Sequence, residues 1–188
     1  MRPLLRQIFR AHRSLRKQYW KWMAHYWLSD VRELGRHPRC YGRPQIDGGR
    51  NITIGDDVRL VSNITPCWLD ARKGRIDLGN HVTLAHGVQI CSWVHVSIGD
   101  DCVIGSYTRI LDSDFHQIDP GEPLRTEPVT IGRNVWIPGG AQILRGVTIG
   151  DGSVVALGAL VTEDVPPRSI VAGTPAKVVR TFEADAWR

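Results

Sequence analysis

From Ile131 onward an aliphatic residue returns at every sixth position: Ile131, Ile137, Ile143, Ile149, Val155 and Val161. That period is neither the 3.6 of a helix nor the 2 of an ordinary strand. Upstream the same phase runs through Ile54 and Leu60, then Leu78, Leu84 and Ile90, then Ile98, Ile104 and Ile110. Gly or Ala follows several of these, as in Ile54-Gly55, Leu84-Ala85 and Ile149-Gly150. A six-residue unit with one inward aliphatic, a small neighbour and a turn-forming Asp, Asn or Gly predicts an all-β fold, a triangular parallel β-helix. Three units make a coil, and each coil buries its face only against its neighbours. A β-sandwich also uses short strands and frequent turns, but nothing in it would hold a six-residue register for so long.

The phase breaks carry information of their own. Leu78 to Ile98 is a coil of eighteen plus two residues, which predicts a small bulge near residues 92–95. Ile98 to Ile131 is a coil plus fifteen, which predicts a loop over residues 112–128 leaving the coils. Long excursions from a regular scaffold are where function concentrates. Ahead of the repeats, Leu4, Ile8, Ala11, Leu15, Tyr19, Trp22 and Tyr26 step by threes and fours, with Arg2, Arg6, Arg10, Arg13, Lys17 and Lys21 opposite. This predicts a basic amphipathic helix in a segment over residues 1–44, then the β-helix over 45–180 and a tail over 181–188.

Charge is concentrated in the N-terminal segment. Residues 1–36 hold nine Arg or Lys against two acids, and the remaining 152 hold 15 against 17, so the net +5 belongs to the N-terminal segment. No basic stripe with interleaved aromatics enters the repeats, which argues against nucleic acid as a partner. The aromatics and cations of the helix suit the surface of an anionic membrane, and packing on a trimer or against a neighbour is the alternative. Arginines interrupt every N-terminal apolar run, so neither a signal peptide nor a membrane span is expected there. Cys40, Cys67, Cys91 and Cys102 lack metal-site spacing and predict free thiols in a cytoplasmic setting, at most peripheral to a membrane, with no metal.

Residues 131–180 contain IGRNVWI, VTEDVPP and AGTPAKVVR. In these motifs the chain resembles the hexapeptide-repeat O-acetyltransferases of the maltose and galactoside type and the related polysaccharide O-acetyltransferases, over about residues 46–180. The resemblance implies a left-handed coil, a homotrimer, acetyl-CoA as co-substrate and a sugar or glycan hydroxyl as acceptor. It also implies a loop His as general base, and His116 in LDSDFHQID occupies that place, with Asp112 or Asp114 to orient it or to meet the acceptor. Histidine suits the task because it titrates near neutrality.

For the acceptor pocket, Ala85 stands where the sugar enzymes of the group carry Asn, and His86, Ser92 and Trp93 are the candidate replacements, Trp93 by stacking on a sugar ring. For coenzyme A, Trp136, Gly139, Gly140, Thr162, Ala172, Gly173, Lys177 and Arg180 match the family's groove, while Glu163 replaces a Lys common there. N-acetylation of an amino sugar or small amine would use the same base and groove. A γ-class carbonic anhydrase shares the fold and needs three zinc-binding histidines, of which His81 and His86 would supply two.

Overall fold

A computed structural model of the chain describes residues 18–117 and 120–183. Residues 18–27 form helix α1. Three strands make each coil. The first holds β1 (Glu33–Leu34), β2 (Arg39–Tyr41) and β3 (Gln45–Asp47), and the second β4 (Ile52–Ile54), β5 (Arg59–Val61) and β6 (Trp68–Asp70). The third holds β7 (Arg75–Leu78), β8 (Thr83–Leu84) and β9 (Gln89–Cys91), and the fourth β10 (His95–Ile98), β11 (Val103–Ser106) and β12 (Arg109–Leu111). The fifth holds β13 (Val129–Ile131), β14 (Trp136–Gly139) and β15 (Gln142–Ile143), and the sixth β16 (Thr148–Ile149), β17 (Val154–Val155) and β18 (Leu160–Val161). A partial seventh ends in β19 (Ser169–Gly173), against which β20 (Ala176–Thr181) folds back antiparallel.

Corresponding strands of successive coils pair in parallel, giving three flat sheets. Sheet A runs β1-β4-β7-β10-β13-β16, sheet B runs β2-β5-β8-β11-β14-β17-β19-β20, and sheet C runs β3-β6-β9-β12-β15-β18. Register places like on like: Ile98 beside Ile131 and Ile131 beside Ile149 in sheet A, Ile110 beside Ile143 in sheet C. These aliphatics are buried and form one core. The fold is therefore a parallel β-helix of six full coils and part of a seventh.

The corners explain the small residues. At the edge between sheets A and B a residue sits in the left-handed region in every coil: His37, Asp57, His81, Asp101, Asn134, Gly152 and Arg168. Side chains just before these close the turns from one coil to the next. Arg36 N donates to Asp56 Oδ1 (2.7 Å), Asp56 N to Asn80 Oδ1 (2.9 Å), Asn80 N to Asp100 Oδ1 (2.6 Å) and Arg133 N to Asp151 Oδ1 (2.8 Å). Asp and Asn are the residues that can accept such a bond across a turn. Gly105 meets a different demand, since a Cβ there would overlap the carbonyl of Pro138 in the next coil.

The helix departs from the expectation. Its inward side is Trp20, Ala24, Trp27 and Leu28, and Ala24 and Leu28 join the core. Small Ala24 permits the close approach, and the helix covers apolar groups that the first coil would otherwise expose. The predicted apolar residues Tyr19, Trp22 and Tyr26 instead face solvent, at 53%, 84% and 73% exposure. The remaining predicted positions, Leu4, Ile8, Ala11 and Leu15, lie outside the described residues.

Candidate active site

The corner from sheet C to sheet A carries the longest irregular segment. There the chain leaves the coils between β12 and β13 and returns through a hairpin-like base. Ser113 bridges Thr126 antiparallel, Glu127 N donates to Asp112 O (2.9 Å) and Asp114 N to Arg125 O (3.2 Å). His116 stands beyond this base, exposed, with no hydrogen-bond partner among the described residues. Two of its neighbours in the loop, Ile118 and Asp119, lie outside the described residues.

The loop base is held from both coils around it. Asp112 is fully buried. Its Oδ1 accepts Trp93 N (2.7 Å), and its Oδ2 accepts Val94 N (2.8 Å) and Ser92 Oγ (2.7 Å), so it anchors the preceding coil's bulge at residues 92–94. From the following coil, Arg145 Nη1 donates to Glu127 Oε1 at 2.8 Å. Its Nε lies 2.9 Å from Asp114 Oδ1 but out of line for a hydrogen bond, leaving an ion contact. Both candidate aspartates thus spend their carboxylates on the scaffold and neither on His116.

Trp93 is engaged as well. Lys73 Nζ lies 3.3 Å from its ring centroid, and Phe115 meets it edge-on at 5.5 Å. A face covered by a cation is not free to stack on a sugar. Trp93 instead braces Phe115, the residue before His116, whose φ of 60° turns the chain outward. Phe115, Lys73 and Arg145 were not singled out from sequence, because their parts depend on contacts between coils.

His86 stands elsewhere, at the corner from sheet B to sheet C. Its Nδ1 is 3.3 Å from Ser106 Oγ, and its ring meets Tyr107 edge-on at 5.3 Å. His81 lies at the sheet A to sheet B corner, against Asp101 at 3.1 Å. The two therefore occupy different corners, and the described residues hold no cluster of three metal-ligating side chains.

The residues matched to coenzyme A are spread over sheet B and its flanking corners. Trp136 is half exposed on β14, with Gly139 and Gly140 at its end. A Cβ on Gly140 would meet nothing closer than 3.8 Å, and one on Gly158 nothing within 4 Å, so this backbone lies open. Ala172, Gly173, Lys177 and Arg180 are on β19 and β20. Lys177 is paired with Glu163 (2.9 Å), and Arg180 lies over Phe182 (5.3 Å). Thr162 stands alone at the sheet C to sheet A corner, on the loop's side. One copy of the chain keeps most of this set on a different side of the prism from His116.

The thiols have no part in this chemistry. All four are free and buried, and burial pushes Cys40 up to about 12 and Cys91 and Cys102 to about 11, far from nucleophilic ionisation.

Stacked six-residue units with an irregular loop at one corner define a hexapeptide-repeat protein. The family model for the bacterial transferase hexapeptide (six repeats) matches residues 128–163, and that for the hexapeptide repeat of succinyl-transferase matches residues 95–107. An acetyltransferase, so named, of Schizosaccharomyces pombe is 35% identical over 137 residues, covering 73% of this chain and 56% of that protein. A hexapeptide-repeat acetyltransferase of Vibrio cholerae, solved with acetyl coenzyme A, is 26% identical with a TM-score of 0.62, covering 84% of this chain and 74% of that one. Galactoside acetyltransferase in complex with coenzyme A is 33% identical with a TM-score of 0.54, covering 57% and 56%. The chain belongs to the hexapeptide-repeat acetyltransferase family. It spans about half the length of the curated relatives it matches, or less.

Proposed function

We propose that the chain is an acetyl-CoA-dependent O-acetyltransferase acting on a sugar or glycan hydroxyl, with His116 as general base. The observation that carries this reading is an imidazole without a hydrogen-bond partner among the described residues, held out on a loop whose base is anchored through Asp112, Asp114 and Glu127. In this reading His116 takes the proton of the acceptor hydroxyl as its oxygen attacks the acetyl carbonyl, and returns it to the departing sulfur. The products are an acetyl ester and the free thiol. Bound coenzyme A supplies the acetyl group as a thioester. The open space at Gly140 and Gly158 suits an extended pantetheine, which needs room rather than charge. Of the two candidate phosphate cations, Lys177 would first have to leave Glu163. A screen of hydroxyl and amino acceptors, read by thiol release, tests the assignment: transfer confined to amines would replace O- by N-acetylation.

The reading includes a homotrimer. Val103, Trp136, Val154 and Ile170 stand in register on the outside of sheet B, with Val103 43% and Trp136 51% exposed. A flat apolar ladder of this kind suits burial against a second copy. Such packing would also bring the groove of one copy to the loop of another. Light scattering should give three times the chain mass, and Val103→Asp should shift it toward monomer with loss of transfer. A wild-type monomer at micromolar concentration would count against the assembly.

The proposed setting is the cytoplasmic side of an anionic membrane, consistent with the free thiols. No described helix is long and apolar enough to cross a bilayer. The solvent-facing Tyr19, Trp22 and Tyr26, in a segment of net +7, suit surface attachment instead. Co-sedimentation with anionic vesicles should fall several-fold in Trp22→Ala/Tyr26→Ala. Equal binding by wild type and variant would leave the stripe without a lipid role.

A further inference from the structure

The outer face of sheet C holds a groove that shares only Gly140, at its rim, with the residues matched to coenzyme A. Gly87, Gln89, Tyr107, Arg109, Gly140 and Gln142 line it, with a volume of about 290 Å³. Gln89, Arg109 and Gln142 stand side by side in register on β9, β12 and β15. Steps of about 4.8 Å separate them. At one end the ring of Tyr107 is fixed: its hydroxyl is 3.2 Å from Thr65 Oγ1, His86 meets its ring, and a Cβ on Gly87 would lie 2.5 Å from its Cδ1. Tyr107 accepts a φ of 59° to stand there and remains 53% exposed. Arg109 has no ion pair among the described residues, although most other described arginines on the coils are paired with acids.

We propose that this groove binds an acidic glycan, with Arg109 on a carboxylate or phosphate, Gln89 and Gln142 on hydroxyls, and Tyr107 under a sugar face. The chemistry of the row is specific. Primary amides both donate and accept, as vicinal hydroxyls require. A guanidinium pairs in bidentate fashion with a carboxylate or phosphate. A ring already immobilised loses little entropy when covered. Sheet C joins the groove to the loop: β12 (Arg109–Leu111) starts beside Tyr107 at one edge of the sheet and ends at the other edge, where the chain leaves for the loop of His116. The inference rests on the acyl-transfer reading only for the purpose of the ligand, so it deepens that reading by naming the acceptor as a charged oligosaccharide.

The test is binding without turnover, on a glycan array carrying carboxylated, phosphorylated and neutral oligosaccharides. Wild type should be retained on acidic glycans, less so at high salt, because exposed ion pairs are screened. Arg109→Gln should lower those signals at least tenfold and leave the neutral ones unchanged, and Arg109→Lys should restore part of the loss. Arg109 is exposed and unpaired, so neither variant should alter the thermal melt. Absence of acidic glycans among the ligands, or equal retention of Arg109→Gln, overturns the proposal. So does an equal loss of coenzyme A affinity in Arg109→Gln by calorimetry, which would give the groove to the phosphates of the donor. His116→Ala should bind glycans like wild type, which separates a failure here from a failure of the base assignment.

Discussion

His116→Ala is expected to lower kcat/KM for acetyl transfer by about 10²- to 10⁴-fold, a loss of about 3–5 kcal/mol of transition-state stabilisation. The imidazole projects from a loop, touches no core residue and has no hydrogen-bond partner among the described residues, so neither the melting temperature nor coenzyme A affinity should move. That combination distinguishes a base from a structural residue. Retention of more than about a tenth of wild-type kcat/KM on the true acceptor would remove His116 from the role, and the Ser106-linked His86 and the Asp77-linked His95 would be examined next.

Asp112→Ala should be the most damaging substitution for the loop itself. It strips the acceptor from two backbone amides and the Ser92 hydroxyl at a buried corner. Stranded donors of this kind cost about 3 kcal/mol in total, which for a chain of this size lowers Tm by about 6–12 °C. Asn is no conservative replacement: its amide nitrogen, in either orientation, would face an N–H that needs an acceptor. Both variants should also lose activity in the remaining folded protein, because the bulge carries Trp93 and Trp93 braces Phe115. An unchanged melt in Asp112→Ala, measured by calorimetry, would show that water replaces the carboxylate at no cost.

The hexad made the coils legible because each inward aliphatic is flanked by residues only a turn would choose, and the counts from Leu78 to Ile98 to Ile131 located both irregular corners. The helix was harder. Its aromatics are distributed around the whole circumference, and only the place of a small residue, Ala24, selects the side that packs. Asp112 looked like one more polar loop residue, yet it lies two positions after inward-facing Ile110, and strand alternation turns it inward too. That parity was available in the sequence. The bracing of Trp93 by Lys73 and Phe115 was not, because it joins residues from three coils whose side chains meet only where the bulges stack. The outward row of Gln89, Arg109 and Gln142 follows from the same register that aligns the core, read one residue earlier in each strand.

The backbone-to-side-chain bonds quoted for the edge between sheets A and B all run forward along the chain. Arg36 is closed by Asp56, Asp56 by Asn80, Asn80 by Asp100 and Arg133 by Asp151, so each of these corners is completed by side chains 18 to 24 residues later in the chain. A chain leaving the ribosome can therefore lay down coils in order with a single unfinished corner at its growing end, each new coil sealing the last. Growth of this kind has no intrinsic stop. Here β20 provides one by reversing direction against β19, so that the last strand of sheet B runs antiparallel and offers no parallel template for another coil.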